Sequence, residues 1–241
     1  MTEVKNNKAF DFLLYSYFGI KESDLKQKSK KDIPCICAKR AYLDLARTVE
    51  YRYSSSELEE MKSKKSSKED KDKANNFIES KNNLIKNICE NILICKNILS
   101  PIETKEGEIS FKNSDFDDWH KAKCREIINF MNNSIDKSNT KILKKENFTI
   151  GQAQKWGNMT LKYLWLLNAL PTGVKPEYLH VPIDSYIIEI AYDNKNKFEN
   201  ALGLLEEKPK KSWSKLSEYE EYFEIQEAIR EAIKTNTTNE T

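Results

Sequence analysis

GQAQKWGNMTLKYLWLLNAL, residues 151–170, carries the strongest helical signal in the sequence. Its second half carries Leu161, Tyr163, Leu164, Trp165, Leu166 and Leu167. It is apolar almost all round, the pattern of a helix packed on every side. The segment therefore predicts the central, buried helix of the protein. The first half is different, because Gly151, Gln152, Gln154, Lys155 and Asn158 precede the apolar run. A lysine in the first turn of such a helix is unusual. A cation there opposes the helix macrodipole, which weakens its hold on its proton, and partial burial turns an amine of that kind into a candidate nucleophile.

Downstream, HVPIDSYIIEIA, residues 180–191, places Pro182 and Asp184 at the start of another helix, with Ile187, Ile188 and Ile190 as its buried positions. Two helix N-termini can thus offer Lys155 and Asp184 to one reacting carbon. Upstream, Phe10, Leu13, Leu14, Tyr17 and Phe18 fall at helical spacing and stop near Gly19, as in a short docking helix. A second helix is expected from Ile36 to about Met61, with Ala41, Leu45, Val49 and Tyr53 on one face. A third is expected from Asn75 to Ile98, a fourth from Ser114 to about Met131, and a last from Leu216 to Ile233. Residues 63–73 mix both charge signs without an apolar side chain and read as a solvated helix continuation or connector, whereas residues 101–113, around Gly107, have a hairpin-like character.

Only six Gly and six Pro are spread over 241 residues, too few for the tight turns of a sandwich, a barrel or a doubly wound sheet. The fold class is all-α: one globular multi-helix domain over residues 1–234, with 1–135 and 136–234 as candidate sub-lobes and 235–241 as a frayed tail. Lys and Arg number 40 against 38 Asp and Glu, so no large single-sign field exists. Any nucleic-acid contact must come from local asymmetry, such as Lys137 to Lys145 ahead of the central helix. No apolar run reaches membrane-spanning length, and charges are scattered through the first dozen residues; the expectation is a soluble cytoplasmic protein with no membrane partner. Five cysteines without a C-x-x-C pair, and two histidines in all, read as reduced thiols with no metal site and no cofactor.

The two motifs resemble the helix-hairpin-helix DNA glycosylases of the endonuclease III-like superfamily, including archaeal 8-oxoguanine glycosylases. Gly151, Lys155, Asn158 and Leu161 fall at that family's offsets, and Pro182-Ile183-Asp184-Ser185 is similar to its aspartate segment. The resemblance spans about residues 148–190. It implies removal of a damaged or modified base flipped out of DNA, with Lys155 as the nucleophile that forms a Schiff base, Asp184 as the carboxylate, and Gly151, Gln152 and Ala153 as the hairpin whose amides grip a DNA phosphate. The chain departs from the pattern at Gln152 and at Ala153, where the second hairpin glycine belongs, and no cysteine follows Cys124 to hold an iron–sulfur cluster.

Other readings of the same residues stand beside this one. In a non-enzymatic α-helical interaction protein of a mobile element or phage-defence locus, Lys155 is a solvated lysine and Asp184 a helix cap. Asp115, Asp117 and Asp118 with His120 would suit a metal-dependent nuclease, although acids are also ordinary at a helix start. His120, at a helix end, reads as a surface residue; Trp156, Trp165 and Trp213 read as core; and Arg47 is expected to pair with Asp44, Glu50 or a carboxylate elsewhere.

Overall fold

The expected central helix forms at Ile150–Leu166, for local reasons at both ends. Thr149 and Gln152 make a capping box: the Thr149 hydroxyl accepts from the Gln152 backbone N–H at 3.2 Å, and the Gln152 side-chain Oε1 accepts from the Thr149 backbone N–H at 3.0 Å. At the other end Asn168 adopts φ 52°, with Asn168 N–H on the Trp165 carbonyl and Ala169 N–H on the Leu164 carbonyl. This is the left-handed stop that asparagine tolerates well. Leu161, Tyr163, Leu164 and Leu167 are buried as expected of this helix, but its burial departs from the expectation elsewhere. Its polar first half is buried, whereas Trp165 is 48% and Leu166 50% exposed. Hydrogen bonds to each of the polar side chains of that half, described below, make the burial tolerable, and Asn158 Oδ1 is the one buried side-chain polar atom among them without a partner.

The computed structural model describes residues 8–27, 32–93, 113–145, 147–171, 174–192 and 208–238. Among these residues there are nine α-helices and no strand: α1 Lys8–Phe18, α2 Glu22–Gln27, α3 Asp32–Leu45, α4 Ser55–Met61, α5 Lys68–Asn87, α6 Asn113–Asn133, α7 Ile150–Leu166, α8 Ser185–Tyr192 and α9 Tyr219–Thr238. The architecture is the expected all-α fold. No helix among the described residues is long and apolar enough to cross a membrane. The hairpin-like stretch around Gly107 lies outside the described residues.

The single helix expected from Ile36 to Met61 is broken in two. Backbone groups of residues 50–52 leave the helix to pair with the loop after α6, with Arg52 N–H on Ile142 O and Lys144 N–H on Glu50 O, both 2.9 Å. The Arg52 guanidinium binds the Lys141 carbonyl at 2.9 Å and the Asp136 carboxylate. A fresh capping box at Ser54 and Glu57 then starts α4. The charged stretch 63–73 is likewise divided: Ser67 caps α5, and Glu69 pairs with Lys73 one turn on at 2.7 Å. At the C-terminus α9 runs on to Thr238.

Helices α3 and α6 pack against α7 and hold the core. Small Ala38 and Ala41 on α3 let α7 approach, and the fully buried Trp156 donates its indole N–H to the Ala38 carbonyl at 2.9 Å beside Tyr42. Truncating such an indole to alanine costs about 3–5 kcal/mol. A tight turn at Trp213–Lys215 docks on the first turn of α7. Gly151 N–H donates to the Leu216 carbonyl at 3.0 Å, and the Thr149 hydroxyl donates to the Ser214 carbonyl at 2.9 Å. A Cβ at Gly151 would lie 1.7 Å from the Trp213 carbonyl oxygen, so only glycine admits the turn; at Gly157 it would meet nothing within 4 Å. Gly151→Ala is therefore expected to lower unfolding free energy by about 1–3 kcal/mol through overpacking. Gly157→Ala is expected to raise it by up to about 1 kcal/mol through helix propensity. Urea unfolding of the two variants checks both signs.

Candidate active site

Two glutamines on different helices hold the extended segment that ends at Asp184. On α7, the Gln154 side chain donates to Ile183 O at 2.9 Å and accepts from Ile183 N–H at 3.2 Å. On α9, Gln226 does the same for Val181, accepting from its N–H at 3.0 Å and donating to its carbonyl. Each amide serves both backbone groups of one residue, and Pro182 between them has no N–H to satisfy. Asn158 joins the system by donating to Gln154 Oε1 at 3.1 Å and to the Tyr222 hydroxyl at 2.9 Å. The chain then turns into α8, where Asp184 Oδ1 accepts the Ile187 amide at 3.0 Å as an N-cap.

This arrangement brings Lys155 and Asp184 together. The Lys155 amine lies 2.7 Å from Asp184 Oδ2, and the side chains are 8% and 34% exposed. Lys155 is in the second turn of α7, not the first, because Thr149 starts the helix earlier. Burial pushes the Asp184 carboxyl up, but the hydrogen bond from Lys155 and the Ile187 amide outweigh it and hold the group below its ordinary value. The carboxylate is thus kept ionised, and the indole of Trp213 lies 6.0 Å from the Lys155 nitrogen.

Both side chains line a cavity of about 740 Å³. Aromatic groups from α1, α7 and α8 (Tyr17, Phe18, Tyr163 and Tyr186) share its wall with Trp213 and with the cations Arg40, Arg47 and Lys162. Arg40, not Arg47, takes Asp44, at 3.3 Å, while the Tyr163 hydroxyl donates to the other Asp44 oxygen at 2.7 Å. Arg47 is exposed at the cavity. Of the three tryptophans expected in the core, Trp156 is core, Trp165 is exposed and Trp213 belongs to the site.

Gly151, Gln152 and Ala153 form the buried first turn of α7. Their amides are already used, by Leu216 O, Thr149 Oγ1 and Thr149 O respectively. Of the lysines ahead of α7, Lys137 pairs with Glu79 at 2.7 Å and Lys141 donates to Asn132 O, whereas Lys144 and Lys145 are exposed.

A buried polar network lies behind the cavity, and only parts of it were legible in the sequence. His120 is buried, contrary to its expected surface place, because α9 covers it: its Nδ1 bonds the Tyr219 hydroxyl at 2.8 Å. His180 Nε2 donates to Asp117, and Nδ1 accepts from Tyr222, both at 2.7 Å. Arg230 holds Asp117 with two hydrogen bonds of 3.0 and 2.7 Å. Burial raises the Asp117 carboxyl, but His180 and Arg230 prevail and bring it down to about 2. Asp117 is therefore committed to this network, and among the described residues no group of three or more His, Cys, Asp or Glu side chains is placed to hold a metal. The Cys37 thiol is pushed up to about 12 by burial.

No protein-family model, curated protein or solved structure matches the chain.

Burial drives both histidines below their ordinary range, His180 despite its bond to Asp117. The unfolded chain then binds protons that the folded one refuses, so stability is expected to fall as pH drops below about 6.5. Since the chain has two histidines in all, proton NMR can follow both. Neither imidazole should titrate near pH 6.5, and a midpoint at or above that value would contradict the buried neutral pair.

Proposed function

We propose that the protein is a DNA base-excision glycosylase with β-lyase activity, in which Lys155 is the nucleophile and Asp184 the stabilising carboxylate. The observation that carries this reading is the 2.7 Å contact between an almost fully buried amine and an ionised carboxylate, both facing one cavity. A space of about 740 Å³ lies within the usual range for small-molecule sites and suits an extruded nucleotide. Its aromatic walls provide stacking surfaces for a flipped base.

In this mechanism the Lys155 ammonium gives a proton to the departing base as the N-glycosidic bond breaks, and the amine it becomes attacks C1′. Asp184 opposes the positive charge that develops on the sugar. Opening of the sugar ring, with the adduct's N–H proton passing to the ring oxygen, converts the adduct to a Schiff base; loss of a C2′ proton to the Asp184 carboxylate then forms the C2′–C3′ double bond and expels the 3′-phosphate. Trp213 and the cap at Asp184 restrict where the amine and carboxylate can move, which favours a fixed attack geometry.

A second reading, an α-helical interaction protein, is favoured by α1, where Phe12 and Tyr15, one turn apart and outside the cavity lining, are exposed. The Lys155 to Asp184 pair is then a brace for α8.

Borohydride trapping on an abasic-site duplex separates the two whichever base the enzyme removes. The wild type should form a covalent adduct, Lys155→Gln none, and Asp184→Asn an adduct that accumulates about 100-fold or more slowly, as for loss of an electrostatic stabiliser. Absence of a Lys155-dependent adduct, on abasic duplexes and on a panel of damaged-base duplexes, would overturn the proposal.

A further inference from the structure

Residues 208–215 read KPKKSWSK, and Lys208, Lys210, Lys211 and Lys215 are all exposed. The same short segment supplies Trp213 to the wall of the Lys155 cavity. Its turn is also fixed on α7 by the contacts of Gly151 and Thr149, so these cations are carried on a rigid support. Glu50 ties a second lysine pair to it. The Glu50 carbonyl accepts the Lys144 amide at 2.9 Å, and its carboxylate lies 3.3 Å from the Lys215 amine. Lys144 and Lys145, both exposed, therefore lie beside the 208–215 segment, while Arg47 and Lys162 add exposed cations at the cavity itself.

We infer that residues 208–215, with Lys144 and Lys145, form the surface that receives the sugar-phosphate backbone of duplex DNA at the mouth of the Lys155 cavity. This rests on the glycosylase reading above. The backbone amides of Gly151, Gln152 and Ala153 are consumed inside the protein, and the turn that covers them presents lysines in their place. Phosphate contact is thereby moved from main chain to side chains. Some of these lysines face acids, Lys208 with Glu189, Lys211 with Glu221 and Lys215 with Glu50. Such exposed pairs contribute little and can be exchanged for phosphate. A chain with a net charge of only +2 has no general attraction for DNA, so binding must depend on a local patch of this kind.

The test is fluorescence anisotropy with a labelled duplex carrying one tetrahydrofuran abasic analogue, titrated at several salt concentrations. Relative to wild type, the slope of log affinity against log salt should become shallower by about two in Lys210→Gln/Lys211→Gln, and by about four when Lys144→Gln and Lys145→Gln are added, each lost phosphate contact counting for about 0.9. Lys234→Gln, roughly 22 Å further along α9 than Tyr219 at 1.5 Å per residue, should leave the slope unchanged. An unchanged slope in the patch variants, or no duplex binding by the wild type at low salt, would overturn the inference. Borohydride trapping at saturating protein is read separately. A shallower slope without a Lys155-dependent adduct leaves the surface standing and sinks the glycosylase reading; an adduct with an unmoved slope does the reverse.

Discussion

The structure depends on one constraint, that the polar row on the buried half of α7 must be paired. Gln152, Gln154, Lys155 and Asn158 are all nearly inaccessible to solvent. A buried polar group left without a partner costs about 1–3 kcal/mol, more when it is charged. Three of the four find partners on segments between the long helices, and the fourth finds one on α9. Gln152 donates to the Thr48 carbonyl after α3, Gln154 binds Ile183, Lys155 binds Asp184, and Asn158 binds Tyr222 on α9. The helix thus sets the position of the surrounding loops, and Asp184 reaches the lysine as one consequence.

A second consequence is that the site is rigid on one side and open on the other. The floor, made by Lys155, Asp184 and the docked Trp213 turn, is fixed by hydrogen bonds to α7 and α8. The opposite wall is made partly by α1, which ends at Gly19 in a left-handed conformation and presents several exposed apolar side chains. Behind the floor, Asn158 connects through Tyr222 and His180 to Asp117 and Arg230. In the neutral form of His180, Nε2–H donates to the ionised Asp117 and Nδ1 is left to accept the one proton of Tyr222.

Most helices could be read from periodicity, capping residues and the scarcity of glycine. Lys155 and Asp184 could also be singled out, because a lysine opening a core helix and an aspartate behind a proline are local signals. What could not be read is tertiary in origin. Residues 50–52 continue a helical pattern, yet leave it because the loop after α6 competes for their backbone groups. Leu166 and Trp165 look like core and are exposed, whereas Gln154 and Asn158 look like surface and are buried, since only the fold supplies hydrogen-bond partners to the latter. Gly151 has a fold-specific role: its missing side chain is the space occupied by the Trp213 carbonyl.

The fold holds Lys155 and Asp184 together as a coupled pair. A double-mutant cycle with Lys155→Met, Asp184→Asn and the double variant, measured by urea unfolding at neutral pH, tests it most directly. A coupling free energy of at least about 0.5 kcal/mol, as found for residues in direct contact, is the expected result. Additive effects, with a coupling near zero, would contradict it.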